Sequence, residues 1–251
     1  MNIEGKEEKV VVIWTETTKR LLKDIKHIIK NPLTSEGIYY IHDEANILKG
    51  YAMIVGPSDT PYFGGYYFFE FNFPTNYPYS PPSVKYCTNG ENIRFNPNLY
   101  TNGKVCVSIL NTWEGDKWSA CQTINSILLT LCSLLNKEPL LNEPGIKSNN
   151  QYLGVYNKII EYSNINIAIC GMLNRTYLMP VFEPFYTFMV EHFVKNYDKL
   201  LEFVSKEDSK HYSMGSIYGL NVYANYASLH TKLINCYNNI IVKPVENMSI
   251  K

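Results

Sequence analysis

The stretch Pro74-Thr-Asn-Tyr-Pro-Tyr-Ser-Pro-Pro82 places four prolines in nine residues. Proline fixes φ and donates no backbone N–H, so these residues can neither continue a sheet ladder nor open a helix. A rigid extended crossover is expected. Before it, residues 66–73 alternate, with Tyr67, Phe69, Phe71 and Phe73 on one face and Glu70 and Asn72 on the other. After it, residues 84–87 read as a short strand. Residues 37–42 and 47–55, separated by a turn at 43–46, read as two more. Hairpin-like connections make a four-stranded antiparallel meander the natural topology.

Helical periodicity brackets this sheet. Residues 17–30 place Leu21, Leu22, Ile25, Ile28 and Ile29 on one face, and Asn31-Pro32 ends the helix. Ser119 followed three residues later by Gln122 reads as a capping box. A helix is expected to open there, with Ile124, Ile127, Leu128, Leu131, Leu134 and Leu135 on its apolar face, and to stop before Pro139. From about residue 149 the texture changes. Helical spacing recurs over 150–163, over 184–204 with Pro184 in the first turn, and over 216–240, and no strand is expected. The fold class is therefore α+β over residues 15–148, followed by an all-helical extension over 149–251. The apolar stripe of 184–204, running from Phe185 to Val204, is too large to leave in water. With no linker before the extension, burial against the first unit is expected.

Charge narrows the function. Lys+Arg and Asp+Glu balance at 23 each, giving no field to attract nucleic acid or an anionic membrane. No apolar run approaches the roughly 20 residues that span a bilayer. The opening Met-Asn-Ile-Glu-Gly-Lys-Glu-Glu lacks the apolar region of a signal peptide, so a cytoplasmic location is expected, with the nucleus open. The six cysteines include no Cys-x-x-Cys pair and none at metal-ligand spacing from a histidine, so no metal site is expected.

One cysteine is set apart. Cys106 follows the turn-forming Thr101-Asn-Gly-Lys104 and lies eight residues after Asn98. A thiol holds an acyl group well as a thioester, and a carboxamide can donate to the oxyanion formed on transfer. Read alone, Val-Cys-Val-Ser-Ile-Leu is equally a strand with a packed, inert thiol. A cysteine protease would need a partner from His42, His192, His211 or His230, and nothing flags one.

Six features occur in order: Gly56-Pro-Ser-Asp-Thr-Pro61 with Gly64-Gly65, Tyr77-Pro-Tyr-Ser-Pro-Pro82, Asn96-Pro97-Asn98, Cys106, Trp118, and Asn142-Glu143-Pro144. Together they resemble the ubiquitin-conjugating enzymes across roughly residues 15–146. Phe95-Asn-Pro-Asn98, where most members read His-Pro-Asn, and the long stretch 112–117 look like the large, Z-type class, which also carries a helical C-terminal extension. The resemblance implies the conjugating fold. It also implies a thioester on Cys106 with ubiquitin or a ubiquitin-like modifier, received from an activating enzyme and passed to a substrate lysine or a ligase. Asn98 would stabilise the oxyanion, Asn96 would brace the loop, and Glu143 would orient and deprotonate the attacking lysine. Lys19, Arg20 and Lys23 match where the activating enzyme docks. Tyr79 and the 118–121 loop match the ligase-binding edge, with Ala120 where many members have proline. No cofactor is implied, because ATP is used by the activating enzyme. Two alternatives share the resemblance: a non-catalytic variant that binds ubiquitin or a ligase, and a hybrid that selects its own substrates through the C-terminal helices.

Overall fold

Helix α1 (Thr15–Lys30) buries Thr17, Leu21, Asp24 and Ile28. That stripe is rotated from the one expected, since Leu22 and Ile29 are 44% and 74% exposed. Two polar residues occupy the buried stripe, each with a partner. Thr17 Oγ1 donates to the Thr75 carbonyl at 2.8 Å, and Asp24 accepts from the Tyr77 hydroxyl at 2.6 Å. Apolar counting cannot see buried polar groups that are satisfied this way. The computed structural model describes residues 12–242. The opening residues in which no signal peptide is expected lie outside that range.

Strands β1 (Ile38–His42), β2 (Lys49–Val55), β3 (Tyr66–Asn72) and β4 (Ser83–Tyr86) form one antiparallel sheet in sequence order. The register pairs Ile38 with Ile54, Ala52 with Phe69, and Phe71 with Val84. One face carries Ala52, Ile54, Tyr67, Phe69 and Phe71 into a core shared with helix α2 (Ile124–Ser133). From α2 come Ile124, Ile127, Leu128 and Leu131. Helix α2 begins at Ile124 rather than near Ser119. Its reciprocal cap is Thr123 with Ser126, while Ser119 and Gln122 share only a backbone turn bond.

The opposite face of the sheet is also buried. Met53, Val55, Tyr66 and Phe68 lie under Ile165, Ile169, Phe182, Phe185 and Met189. Helix α3 (Leu153–Ser163) runs into a fully buried π-helical segment, Asn164–Gly171. Two asparagine contacts seat that segment: Tyr67 donates to Asn164 Oδ1 at 2.7 Å, and Asn164 Nδ2 donates to the Phe63 carbonyl at 2.9 Å. A β-carbon on Gly65 would fall 1.8 Å from Asn164 Oδ1, so glycine is what allows the approach. Helix α4 (Tyr186–Lys206) then buries Met189, Phe193, Leu200 and Val204, closed on its far side by α5 (Tyr226–Val242).

The extension is not all helical. Strands β5 (Lys210–Ser213) and β6 (Asn221–Ala224) form a hairpin between α4 and α5. Helix α5 accordingly starts ten residues later than the expected 216, at Tyr226. The hairpin tip turns through Gly215, Tyr218 and Gly219, all at positive φ. Three such residues in five stop a helix, whatever the apolar spacing around them. Among the described residues no helix is long and apolar enough to cross a membrane.

Candidate active site

A tight turn builds the centre of the site. Gly103, at φ +90°, closes it by donating to the Tyr100 carbonyl at 2.9 Å, and Tyr100 donates to the Lys104 carbonyl at 2.9 Å. Leu99 bridges Val105, and the Cys106 N–H donates to the Asn98 carbonyl at 2.9 Å. The eight-residue spacing thereby becomes a face-to-face pair. Asn98 Nδ2 donates to the Cys106 carbonyl at 2.6 Å. An amide nitrogen has two hydrogens, so one remains for a second acceptor. Asn98 Oδ1 is buried without a protein partner.

Asn96 is fully buried and braces this turn from below. Its Nδ2 donates to the Leu134 carbonyl at 2.7 Å and to the Tyr62 hydroxyl at 3.0 Å. Its Oδ1 accepts from the Asn98 N–H at 3.0 Å and from Asn142 Nδ2 at 3.5 Å. Asn142 precedes Glu143, so one amide network joins the thiol-bearing turn to the carboxylate-bearing loop.

Cys106 sits in irregular backbone between that turn and the short helical turn Ser108–Leu110, not in a strand. It is 1% exposed. Thr112 Oγ1 both accepts from the Val107 N–H and donates to the Val107 carbonyl, at 3.0 Å each, which holds the next residue in place. Burial pushes the Cys87 thiol up to about 11, away from thiolate chemistry. Cys121 is the exposed cysteine, on the loop before α2.

Sequence reading missed the residues that surround Glu143. Its Oε2 accepts a hydrogen bond from the Tyr218 hydroxyl, at the tip of the β5–β6 hairpin. Arg94 lies between two rings, 3.8 Å from the Tyr100 centroid and 4.4 Å from that of Tyr218. It also donates to the Pro97 carbonyl at 2.5 Å, while its own carbonyl accepts from the Tyr156 hydroxyl at 2.8 Å. No local pattern could have signalled Tyr218, which lies 75 residues from its partner among 21 tyrosines.

A profile of the ubiquitin-conjugating enzymes matches residues 20–175, covering most of α1, the sheet, the Cys106 turn, α2 and α3. The chain belongs to the ubiquitin-conjugating enzyme family. It is similar to ubiquitin-conjugating enzyme E2 Z of Homo sapiens, 41% identical over 182 residues, covering 71% of this chain and 50% of that protein. The Danio rerio E2 Z is 41% identical over 191 residues, covering 75% and 57%. The human dual E2 ubiquitin-conjugating enzyme/E3 ubiquitin-protein ligase BIRC6 is 45% identical over 121 residues, covering 45% of this chain and 2% of that protein. The chain thus spans about half the length of the E2 Z relatives it matches. These similarities support the large, Z-type class read from Phe95-Asn-Pro-Asn98.

The partner surfaces expected of a ubiquitin-conjugating enzyme are only partly free. Lys19 and Lys23 are exposed on α1. Arg20 is turned inward: it pairs with Asp24 at 3.0 Å, donates to the Ala120 carbonyl at 2.6 Å, and also bonds the Gln122 carbonyl. Arg20 therefore ties α1 to the loop before α2 and is not a free surface cation. Tyr79 is 60% exposed, with its hydroxyl on Glu16 at 3.0 Å. Trp118 Nε1 donates to the Pro78 carbonyl at 2.6 Å, which brings the exposed Ala120 loop to the same edge. Among the described residues no cluster of three or more His, Cys, Asp or Glu could hold a metal.

Proposed function

We propose that this chain accepts ubiquitin or a ubiquitin-like modifier on Cys106 Sγ and passes it to a lysine of a substrate or to a ligase. The observation that carries the reading is the Asn98–Cys106 pair, held face to face at 2.6 Å with an amide N–H to spare. The bond is to the main-chain carbonyl, so it fixes the amide beside residue 106 and leaves its second N–H for an oxyanion formed there.

In loading, the Cys106 thiolate attacks the thioester carbonyl on the activating enzyme. A new S–C bond forms, and the activating enzyme's thiolate leaves. In discharge, a lysine amine attacks the same carbonyl and the charge moves to the carbonyl oxygen, where the spare N–H of Asn98 can bind it. The N–C bond forms, the Cys106 S–C bond breaks, and the amine proton passes to Glu143 or to water. Deprotonating a lysine of pKa near 10.4 at pH 7 costs about 4.6 kcal/mol, at roughly 1.36 kcal/mol per unit. A positioned carboxylate offsets part of that.

The chain then needs no bound cofactor, since ATP is consumed by the activating enzyme. Residues 15–148 act as the catalytic unit, and 149–251 as a module whose described residues cover its sheet. Lys19 and Lys23 face the activating enzyme, Tyr79 and Ala120 face a ligase, and the work is done in the cytoplasm, with the nucleus open to it.

The test is incubation with activating enzyme, ATP and a panel of modifiers, read on non-reducing gels. Wild type should form a reducible adduct, Cys106→Ala none, and Cys106→Ser a reductant-resistant oxyester. If Cys87 or Cys121 must be changed to lose the adduct, the site lies elsewhere.

A further inference from the structure

The β5–β6 hairpin delivers one side chain to the conjugating unit, and delivers it to a carboxylate. Tyr218 stands at φ +57° between Ile217 and Gly219, a left-handed position that a non-glycine residue adopts only at a cost. Its ring lies on Arg94 at 4.4 Å and its hydroxyl donates to Glu143 Oε2. Both partners belong to the conjugating unit. Arg94 in turn holds the Pro97 carbonyl at 2.5 Å, one residue before Asn98. A single tyrosine from the extension thus touches Glu143 directly and, through Arg94, the backbone just before Asn98.

We infer that Tyr218 is a positioning residue for aminolysis, fixing the Glu143 carboxylate through one oxygen so that the other faces the incoming lysine. The inference rests on the function proposed above. The bond engages Oε2 only, which leaves Oε1 as an acceptor for an ammonium or amine N–H. Burial, reinforced by Glu143 itself, pushes the Tyr218 phenol well above its usual range, so its hydroxyl stays protonated and remains a donor. The stacking of Arg94 between Tyr100 and Tyr218 holds the ring from its other side, so the hydroxyl has little freedom to swing. The extension is in this way part of the transfer machinery as well as a cover for the sheet.

The test uses the full chain and Tyr218→Phe, which keeps the ring on Arg94 and deletes only the hydroxyl. Thioester formation on Cys106 and the melting temperature should stay near wild type. Discharge to free lysine should slow about tenfold, as expected when an oriented catalytic group loses its support. The decisive readout is a double-mutant cycle with Glu143→Ala: the tyrosine change should cost nothing further once the carboxylate is gone. A general loosening of the fold would slow both backgrounds alike. Discharge equal to wild type, faster discharge, or the same deficit in both backgrounds would each overturn the inference. The underlying reading is tested separately. If Cys106→Ala still loads, the site itself is wrong, whereas if its adduct is lost and Tyr218→Phe behaves as wild type, only the role of Tyr218 falls.

Discussion

Asn98 and Cys106 face each other across one turn, the amide nitrogen of the first 2.6 Å from the carbonyl oxygen of the second. That contact already occupies one of the two amide hydrogens, so bracing and oxyanion binding draw on the same group at different bonds. Asn98→Ala should leave loading largely intact and slow discharge to lysine by about 10²–10³, the loss typical of one oxyanion donor. Single-turnover discharge from pre-loaded enzyme measures this directly. A matching loss in the loading rate would restrict Asn98 to bracing.

Glu143 gives a pH signature. In Glu143→Ala, discharge to free lysine should fall at neutral pH, with the deficit shrinking as pH approaches the lysine pKa near 10.4, where the amine deprotonates unaided. A rate–pH profile on pre-loaded enzyme shows it. A deficit constant across pH would leave Glu143 a positioning role alone.

Two histidines make stability pH-dependent. Burial, the largest cause for each, holds His42 and His192 below the usual imidazole value. The Ile47 carbonyl can only accept, so His42 Nε2 carries the proton in its 2.8 Å bond there, and Nδ1 accepts from the Tyr40 hydroxyl at 2.8 Å. His192 Nε2 meets the Tyr39 hydroxyl at 2.7 Å. The unfolded chain therefore takes up protons first as pH falls below about 6.5. Stability should be full above that value and decline as pH drops toward the depressed folded values. Urea midpoints across this window should fall, and His42→Asn/His192→Asn should flatten the slope.

Loss of the cover over β3 should be costly. Phe68 is 1% exposed and stacks on Phe182, with centroids 4.7 Å apart. Phe68→Ala should destabilise by about 3–5 kcal/mol, read as a shift in urea midpoint. Truncation after residue 148 should yield an aggregating protein, because it bares Met53, Val55, Tyr66 and Phe68 together. A soluble truncate with an unchanged melting temperature would show that the extension contributes nothing to the fold.

Helix α2 was legible because its apolar residues follow the helical period, and β3 because Phe69 and Phe71 alternate with Glu70 and Asn72. The buried stripe of α1 was misplaced because Thr17 and Asp24 satisfy their polar groups inside. The β5–β6 hairpin escaped notice because its strands are four residues each, too short for alternation to stand out. The consecutive apolar residues Tyr66–Phe69 did carry a signal that the alternation of Glu70 and Asn72 obscured. Such a run marks a strand buried on both faces. Cys106 and Asn98 could be paired through the family resemblance of their motif, whereas the Tyr218–Glu143 contact depends on how distant segments fold together.

The Tyr66 hydroxyl donates to the Met189 carbonyl, 123 residues further along the chain. During synthesis at about 5–20 residues per second, roughly 6–25 s pass between the emergence of these two residues. Until Ile165, Ile169, Phe182 and Phe185 have also emerged, the back of β3 has a nascent sheet around it and nothing to lie against. Its Tyr66 and Phe68 are then open to whatever binds unfinished chains on the ribosome. Anything bound there would have to leave before α4 could dock, because the two would compete for the same apolar face.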